Sequence, residues 1–144
     1  MKILGVDPGT QRIGLALSDE GAGFARPLCI LKHISLGENA RRILQIAHNE
    51  GTAKIVIGVP YDSDGGLGPR ARASMRLIEA IQALEGGVEL IAWDESHSTQ
   101  KVIETERILG LKPKRRREPK DDHAAAMILQ DYLDANASSE GGHA

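Results

Sequence analysis

Three extended runs precede the first helical pattern, and that order constrains the fold of this chain more than any other feature. Residues 2–7 (KILGVD) are aliphatic and β-branched and stop at Pro8-Gly9, the pattern of a strand and a turn. Residues 12–19 (RIGLALSD) follow so closely that a hairpin joins the two runs. Residues 24–33 (FARPLCILKH) form the third, with Pro27 demoting its start to an edge or a bulge.

The period then changes. Ser35 and Glu38 have capping-box spacing, Ile43, Leu44, Ile46 and Ala47 continue at helical intervals, and Gly51 stands where a helix C-terminus is expected. Residues 54–60 (KIVIGVP) are almost wholly apolar, as in a central parallel strand covered on both faces. A polar loop at 62–66 leads to a helix over 70–84 that offers Leu77, Ile78, Ile81 and Leu84 to the core, ended by Gly86-Gly87. A fifth strand at 88–93 closes in Asp94-Glu95, and a helix over 98–109 follows. The last helix spans 122–135, with Ala124, Ala125, Ile128, Leu129 and Tyr132 as its apolar stripe. The pattern predicts one domain over 1–137 and a disordered small, polar tail at 138–144.

Hairpins suffice for the first three strands, whereas the later two arrive by helical crossovers and are therefore parallel. The expected architecture is α/β: a five-stranded mixed sheet of order 3-2-1-4-5 with helices on both faces. Ligands in such sheets bind at the carboxyl ends of the strands, where connections change direction. Here that is the junction of the first and fourth strands.

With 144 residues the chain can bury a core without staples, and at 3% aromatic residues that core must be aliphatic. A lone Cys29 excludes an internal disulfide and fits a reducing, cytoplasmic setting. No apolar run approaches the roughly 20 residues of a membrane span, and the N-terminus lacks a signal-peptide pattern. The net charge of −2 hides an asymmetry: Lys112, Lys114, Arg115, Arg116, Arg117 and Lys120 are opposed locally only by Glu118. Such a segment is either a solvated linker or a phosphate-binding surface.

Carboxylates gather at the predicted carboxyl edge. Asp7 ends the first strand, Asp62 and Asp64 follow the fourth, Asp94 and Glu95 end the fifth, and Asp121-Asp122 open the last helix. Several of these, and Asp19, also suit turns or helix caps. Asp7 resists that reading, because it closes an apolar strand ahead of Pro-Gly-Thr. Clustered like charges are costly unless a cation lies among them, and hard ions such as Mg²⁺ or Mn²⁺ suit oxygen donors. Two such ions about 4 Å apart can drive phosphodiester cleavage. No Cys/His spacing supports zinc, and among five histidines only His123, near Asp121, is a candidate proton shuttle.

The run Asp7-Pro8-Gly9-Thr10-Gln11-Arg12-Ile13-Gly14-Leu15-Ala16-Leu17-Ser18-Asp19 resembles the opening signature of the YqgF/RuvX family. Three more blocks match in order: Gly58-Val59-Pro60 with Asp64-Gly65 and Gly68; Asp94-Glu95 with Ser98-Thr99; and Asp121 with Ala124-Ala125 and Ile128-Leu129-Gln130. The family is RNase H-like and is described both as Holliday junction resolvases and as nucleases maturing the 5′ end of 16S rRNA. The resemblance implies that Asp7, Glu95 and Asp121 are the catalytic acids and hold the metal, two Mg²⁺ or Mn²⁺ ions, with Asp122 as the neighbouring alternative to Asp121. It makes Arg12, Thr99 and Asp64 supporting residues, Arg12 at a substrate phosphate and Thr99 either orienting Glu95 or binding the nucleic-acid backbone. One departure stands out: the family's Arg after Asp-Glu is Ser96 here, followed by His97. The missing charge would come from Arg115, Arg116 and Arg117, which with Lys112 and Lys114 form a nucleic-acid-binding segment just before Asp121.

The expected activity is therefore metal-dependent cleavage of structured nucleic acid, by backbone and shape recognition rather than base reading. Precursor 16S rRNA is favoured over a four-way DNA junction, since junction cleavage requires a symmetric homodimer and no dimer signature is evident. A binding module that has lost catalysis would have little use for the acids. A receiver domain alternates strand and helix from its start, and the sugar-kinase and actin-like ATPases need two such domains.

Overall fold

Period-two alternation along the first strand sorts its side chains onto two faces. In β1 (Lys2–Pro8), Leu4 and Val6 enter one core, whereas Ile3 enters the other. The structure is a computed structural model and describes residues 1–95 and 121–141, with side chains for 1–95 and 123–137.

β2 (Arg12–Ser18) runs antiparallel to β1, and β3 (Ala25–Lys32) antiparallel to β2. After α1 (Leu36–Asn49), β4 (Thr52–Val59) pairs parallel with β1. After α2 (Pro69–Ala83), β5 (Glu89–Asp94) pairs parallel with β4. The order is β3-β2-β1-β4-β5, as expected. The helix expected over 98–109 lies outside the described residues; the final helix, here α3, spans Asp121–Gly141.

The core is aliphatic and lies in two layers. Leu4, Val6, Leu15, Leu17, Ile55 and Ile57 pack against Ile43 and Ala47 of α1 and Leu77, Ile78 and Ile81 of α2. On the opposite face Ile3, Ala16 and Val56 pack against Ala125, Ile128, Leu129, Tyr132 and Leu133 of α3.

Local chemistry sets the ends of α1. Ser35 Oγ accepts the Glu38 N–H at 3.1 Å, but the Glu38 carboxylate pairs with Arg41, so half of the capping box forms. Gly51, with φ +70°, follows the cap residue Glu50, as a left-handed C′ position requires. Three expected boundaries move. Phe24 belongs to the turn before β3 and is exposed, because the Asp19 carboxylate accepts both the Gly23 and Phe24 N–H groups. Leu84 is the exposed C-cap of α2 rather than a core residue. α3 continues past Ala135 to Gly141, into the segment expected to be disordered; between them stand no proline and no glycine until Gly141 itself.

Close approach and side-chain ties seat α3. A Cβ on Gly5 would stand 2.8 Å from Leu129 Cβ and 3.3 Å from the Ala125 carbonyl, so the helix rests on bare β1 backbone. Gln130 Oε1 accepts the Ala25 N–H at 2.9 Å, and its Nε2 donates to the Gly23 carbonyl at 3.0 Å. On the other flank Trp93 Nε1 donates to Asp131 Oδ2 at 2.9 Å, and the Trp93 and Tyr132 rings meet edge to face at 5.3 Å. Ala125 lies over Gly5 while Tyr132 and Leu133 reach Met1 and Ile3. α3 therefore runs against β1, its first turn at the carboxyl ends of the strands.

Candidate active site

Val6 of β1 pairs with Ile57 of β4, so the next residues along these parallel strands are Asp7 and Gly58. On its other side Asp7 pairs with Gly14 of β2. The alternation that sends Val6 into the α1/α2 core puts Asp7 on the face of α3, with a glycine on each neighbouring strand. Neither neighbouring strand puts a Cβ of its own beside Asp7 at this level.

Glu95 follows β5 directly, and its N–H donates to the Val59 carbonyl at 3.1 Å. That bond holds the chain against the end of β4 after the ladder stops at Val59 and Asp94. The side chain folds back over β4: a Cβ on Gly58 would come within 2.7 Å of Glu95 Oε1 and 2.8 Å of Ile128 Cδ1. Gly58 thus makes a cradle in which a carboxylate from β5 and a methyl from α3 meet.

The electrostatics follow from this packing. Burial pushes the Glu95 carboxyl up to about 7; the negative charge of Asp7 adds to the effect, Arg70 opposes it, and Asp94 adds a little more. Two carboxylates close enough to perturb one another, in a recess cleared by a glycine, fit a hard divalent cation, whose charge would remove the repulsion and whose preferred donors are oxygens. Among the described residues no three acids, histidines or cysteines converge on one point. The third expected acid, Asp121, is the first residue of α3. It stands one helical turn before Ala125, about 6 Å along the axis. Asp7 stands two residues beyond Gly5, about 7 Å along the strand. The start of α3 and the end of β1 are therefore brought level. The Asp121 and Asp122 side chains lie outside the described residues.

The other expected residues separate into groups. Arg12 opens β2 at the same end, exposed, next to the tight turn in which the Gly9 N–H donates to the Arg12 carbonyl at 2.9 Å. Asp64 is used locally: its Oδ1 accepts the Gly66 N–H at 2.9 Å, and Asp62 closes the same loop through its backbone. Asp19 lies at the far end of the sheet, where the Phe24 and Gly23 N–H groups hold its carboxyl below the usual range. His123 is exposed in the first turn of α3. Ser96, His97, Thr99, Lys112, Lys114, Arg115, Arg116 and Arg117 lie outside the described residues. Two participants were not legible as such. Gly58 reads in sequence as part of a strand and of a matching family block with no role attached, and Arg70 as an ordinary first-turn helix residue. Only the fold sets Gly58 against Glu95 and brings the Arg70 charge within its reach.

Comparison with known proteins agrees with this geometry. The family whose model matches residues 1–135 is RuvX, described as Holliday junction resolvase. A Symbiobacterium thermophilum protein named "putative pre-16S rRNA nuclease" is 39% identical over 141 residues, covering 96% of this chain and 95% of that one. A Gluconobacter oxydans protein of the same name is 37% identical over 139 residues, covering 94% and 84%. Among solved structures, Thermus thermophilus RuvC in complex with a Holliday junction substrate shares the fold at TM-score 0.60 and 21% identity, covering 95% of this chain and 96% of that one. With four sequence blocks, sheet order and paired carboxylates all in agreement with a match over nearly its whole length, the chain belongs to the RuvX family of RNase H-like nucleases.

Proposed function

We propose that this nuclease depends on a divalent metal and cuts structured RNA, its substrate being the 5′ end of precursor 16S rRNA. The observation that carries the reading is the convergence of Asp7 and Glu95 over Gly58 at the carboxyl ends of β1, β4 and β5. The name shared by the Symbiobacterium and Gluconobacter relatives supports the choice of RNA.

Asp7, Glu95 and Asp121 are the residues that would hold the ions, Mg²⁺ or Mn²⁺. Two bound ions supply activation of the attacking water and neutralisation of charge on the leaving 3′-oxygen. Asp7 contributes a carboxylate from the rigid end of a central strand, which keeps its oxygens fixed relative to β4. Glu95, whose carboxyl is pushed up to about 7 by burial and the Asp7 charge, would hold a cation in its deprotonated form. Arg12, at the rim beside the β1–β2 turn, holds a substrate phosphate. Lys112, Lys114, Arg115, Arg116 and Arg117, with Thr99, hold the backbone on either side. A cytoplasmic location follows from an rRNA substrate, and among the described residues no helix is long and apolar enough to cross a membrane.

The family description favours a second substrate, the four-way DNA junction, for which a homodimer is needed to cut both strands symmetrically. One assay separates the two. Labelled precursor-rRNA 5′ fragment and four-way junction are incubated with Mg²⁺ or Mn²⁺, with wild type and Asp7→Asn in parallel and the solution mass measured on the same samples. Cutting of the RNA by wild type alone is expected. Cutting of the junction alone by a dimer would transfer the assignment to the junction. Metal-independent cutting, or none, would sink the proposed mechanism.

A further inference from the structure

A cleft of about 370 Å³ opens on the face of the sheet opposite α3, between the β1–β2 turn, the start of α1 and the first two turns of α2. The volume is in the range of a small-ligand site. Its deeper lining is apolar, with Ile13 and Leu77 buried and Leu36 half open. Around this floor stand Arg70, Arg76 and His33, and no carboxylate is among the described lining residues. Arg70, Ala73 and Leu77 recur at helical spacing, so one stripe of α2 supplies both charge and apolar wall. Arg76 makes no hydrogen bond or ion pair to any described residue.

His33 is held in one tautomer. Asn39, itself buried, accepts the Ile34 N–H through Oδ1, so its Nδ2 must be the donor to His33 Nδ1 at 2.9 Å. Neutral His33, one of the lining residues, then carries its proton on Nε2.

The cleft adjoins the carboxylates. Pro8, which lines it, follows Asp7 in the chain, and Arg70 is near enough to Glu95 to lower its carboxyl. An apolar recess with two arginines on one wall, across the carboxyl edge of the sheet from the paired carboxylates, matches the chemistry of a nucleotide: an apolar ring face carrying an anionic phosphate. A base held within a duplex cannot enter such a recess, whereas an extruded one can lie against apolar side chains. We propose that this cleft receives an unpaired nucleotide of the substrate strand next to the cut, its base against Ile13, Leu36 and Leu77 and its phosphate at Arg70 and Arg76. The inference rests on the nuclease reading and deepens it: the enzyme selects a junction between paired and unpaired nucleic acid.

The test is binding without chemistry. A fluorescein-labelled single-stranded oligoribonucleotide and the blunt duplex of the same sequence are titrated in EDTA at physiological salt, where long-range charge effects are screened. The proteins are wild type, Arg76→Ala and Ala73→Glu; both substituted positions are exposed on α2, and melting curves check that the fold persists. Wild type is expected to prefer the single strand. Arg76→Ala, by losing one charge-assisted contact, and Ala73→Glu, by putting a carboxylate against the phosphate, are each expected to weaken single-strand binding roughly tenfold, with duplex binding unchanged. Unchanged single-strand binding in both variants, or equal loss on both probes, overturns the cleft as a nucleotide site while leaving the nuclease reading intact. Equal binding of both probes by wild type, or binding of neither, overturns this inference, while the nuclease reading is decided by the metal-dependent cleavage assay.

Discussion

Glu95 Oε1 occupies the space that a side chain at position 58 would need: a Cβ built on Gly58 would lie only 2.7 Å from it. This face of β4 is thus shaped by an absent methyl group, and the carboxylate that fills the gap comes from the residue just after β5.

Gly58→Ala should therefore separate activity from stability. Both atoms it would meet, Glu95 Oε1 and Ile128 Cδ1, are the far ends of flexible side chains and can move aside. We expect a stability loss of about 1 kcal/mol, at the low end for overpacking. Cleavage should fall by about 100-fold, as a displacement near 1 Å in a catalytic constellation can cost. Urea denaturation and single-turnover cleavage on one preparation test this, and retained activity would mean that Glu95 works elsewhere.

Gly5→Ala should do the reverse. Its Cβ would meet Leu129 Cβ and the Ala125 carbonyl, which cannot move without α3. A loss of about 2 kcal/mol is expected, read as a lower urea midpoint with unchanged m-value.

The Glu95 carboxyl makes the metal-free protein pH-sensitive. Burial first, then the Asp7 charge, raise it from an ordinary 4.5 to about 7. A raised folded-state value means that the folded protein holds this proton more tightly than the unfolded chain does. The resulting stability is fully present below pH 4.5 and is lost as pH rises through about 7. Its size is up to about 3 kcal/mol before solvent screening. Denaturation in EDTA across this window should show the loss, Glu95→Gln should remove it, and saturating Mg²⁺ or Mn²⁺ should reverse it. An identical profile for Glu95→Gln would contradict the assignment.

Asp7→Asn removes the proposed metal donor and also a negative charge that raises the Glu95 carboxyl. Cleavage should drop more than about 100-fold, beyond the cost of losing a partner outside the coordination sphere, with nucleic-acid affinity in EDTA retained. The pH window of stability loss should move down. A variant that still cuts would exclude Asp7 from the chemistry.

The basic segment tests recognition separately. Replacing Arg115, Arg116 and Arg117 with alanine should weaken binding across all sequences and reduce the salt-dependence slope by about 0.7–0.9 per arginine that contacts a phosphate. A changed sequence preference at unchanged slope would point to base contacts instead.

Much of the scaffold is legible from the chain because its causes are local. Residues 2–7 alternate, residues 54–60 are apolar throughout, and Ser35 caps three residues ahead of Glu38; periodicity and cap chemistry need no distant partner. Hairpin and crossover lengths then determine strand order, and ending an apolar strand in Asp7 or Asp94-Glu95 places acids at one edge. The boundaries at Phe24 and Leu84 slipped because a competing side-chain bond to backbone and a helix end decide them. Tertiary structure alone decided the rest. Gly58 became a cradle only when Glu95 and Ile128, distant in sequence, closed over it, and Arg70 became a charge on Glu95 only when α2 crossed the sheet. A sequence states which groups a chain carries, but burial, repulsion and a missing Cβ act through space, and those distances exist only once the sheet and its helices have packed.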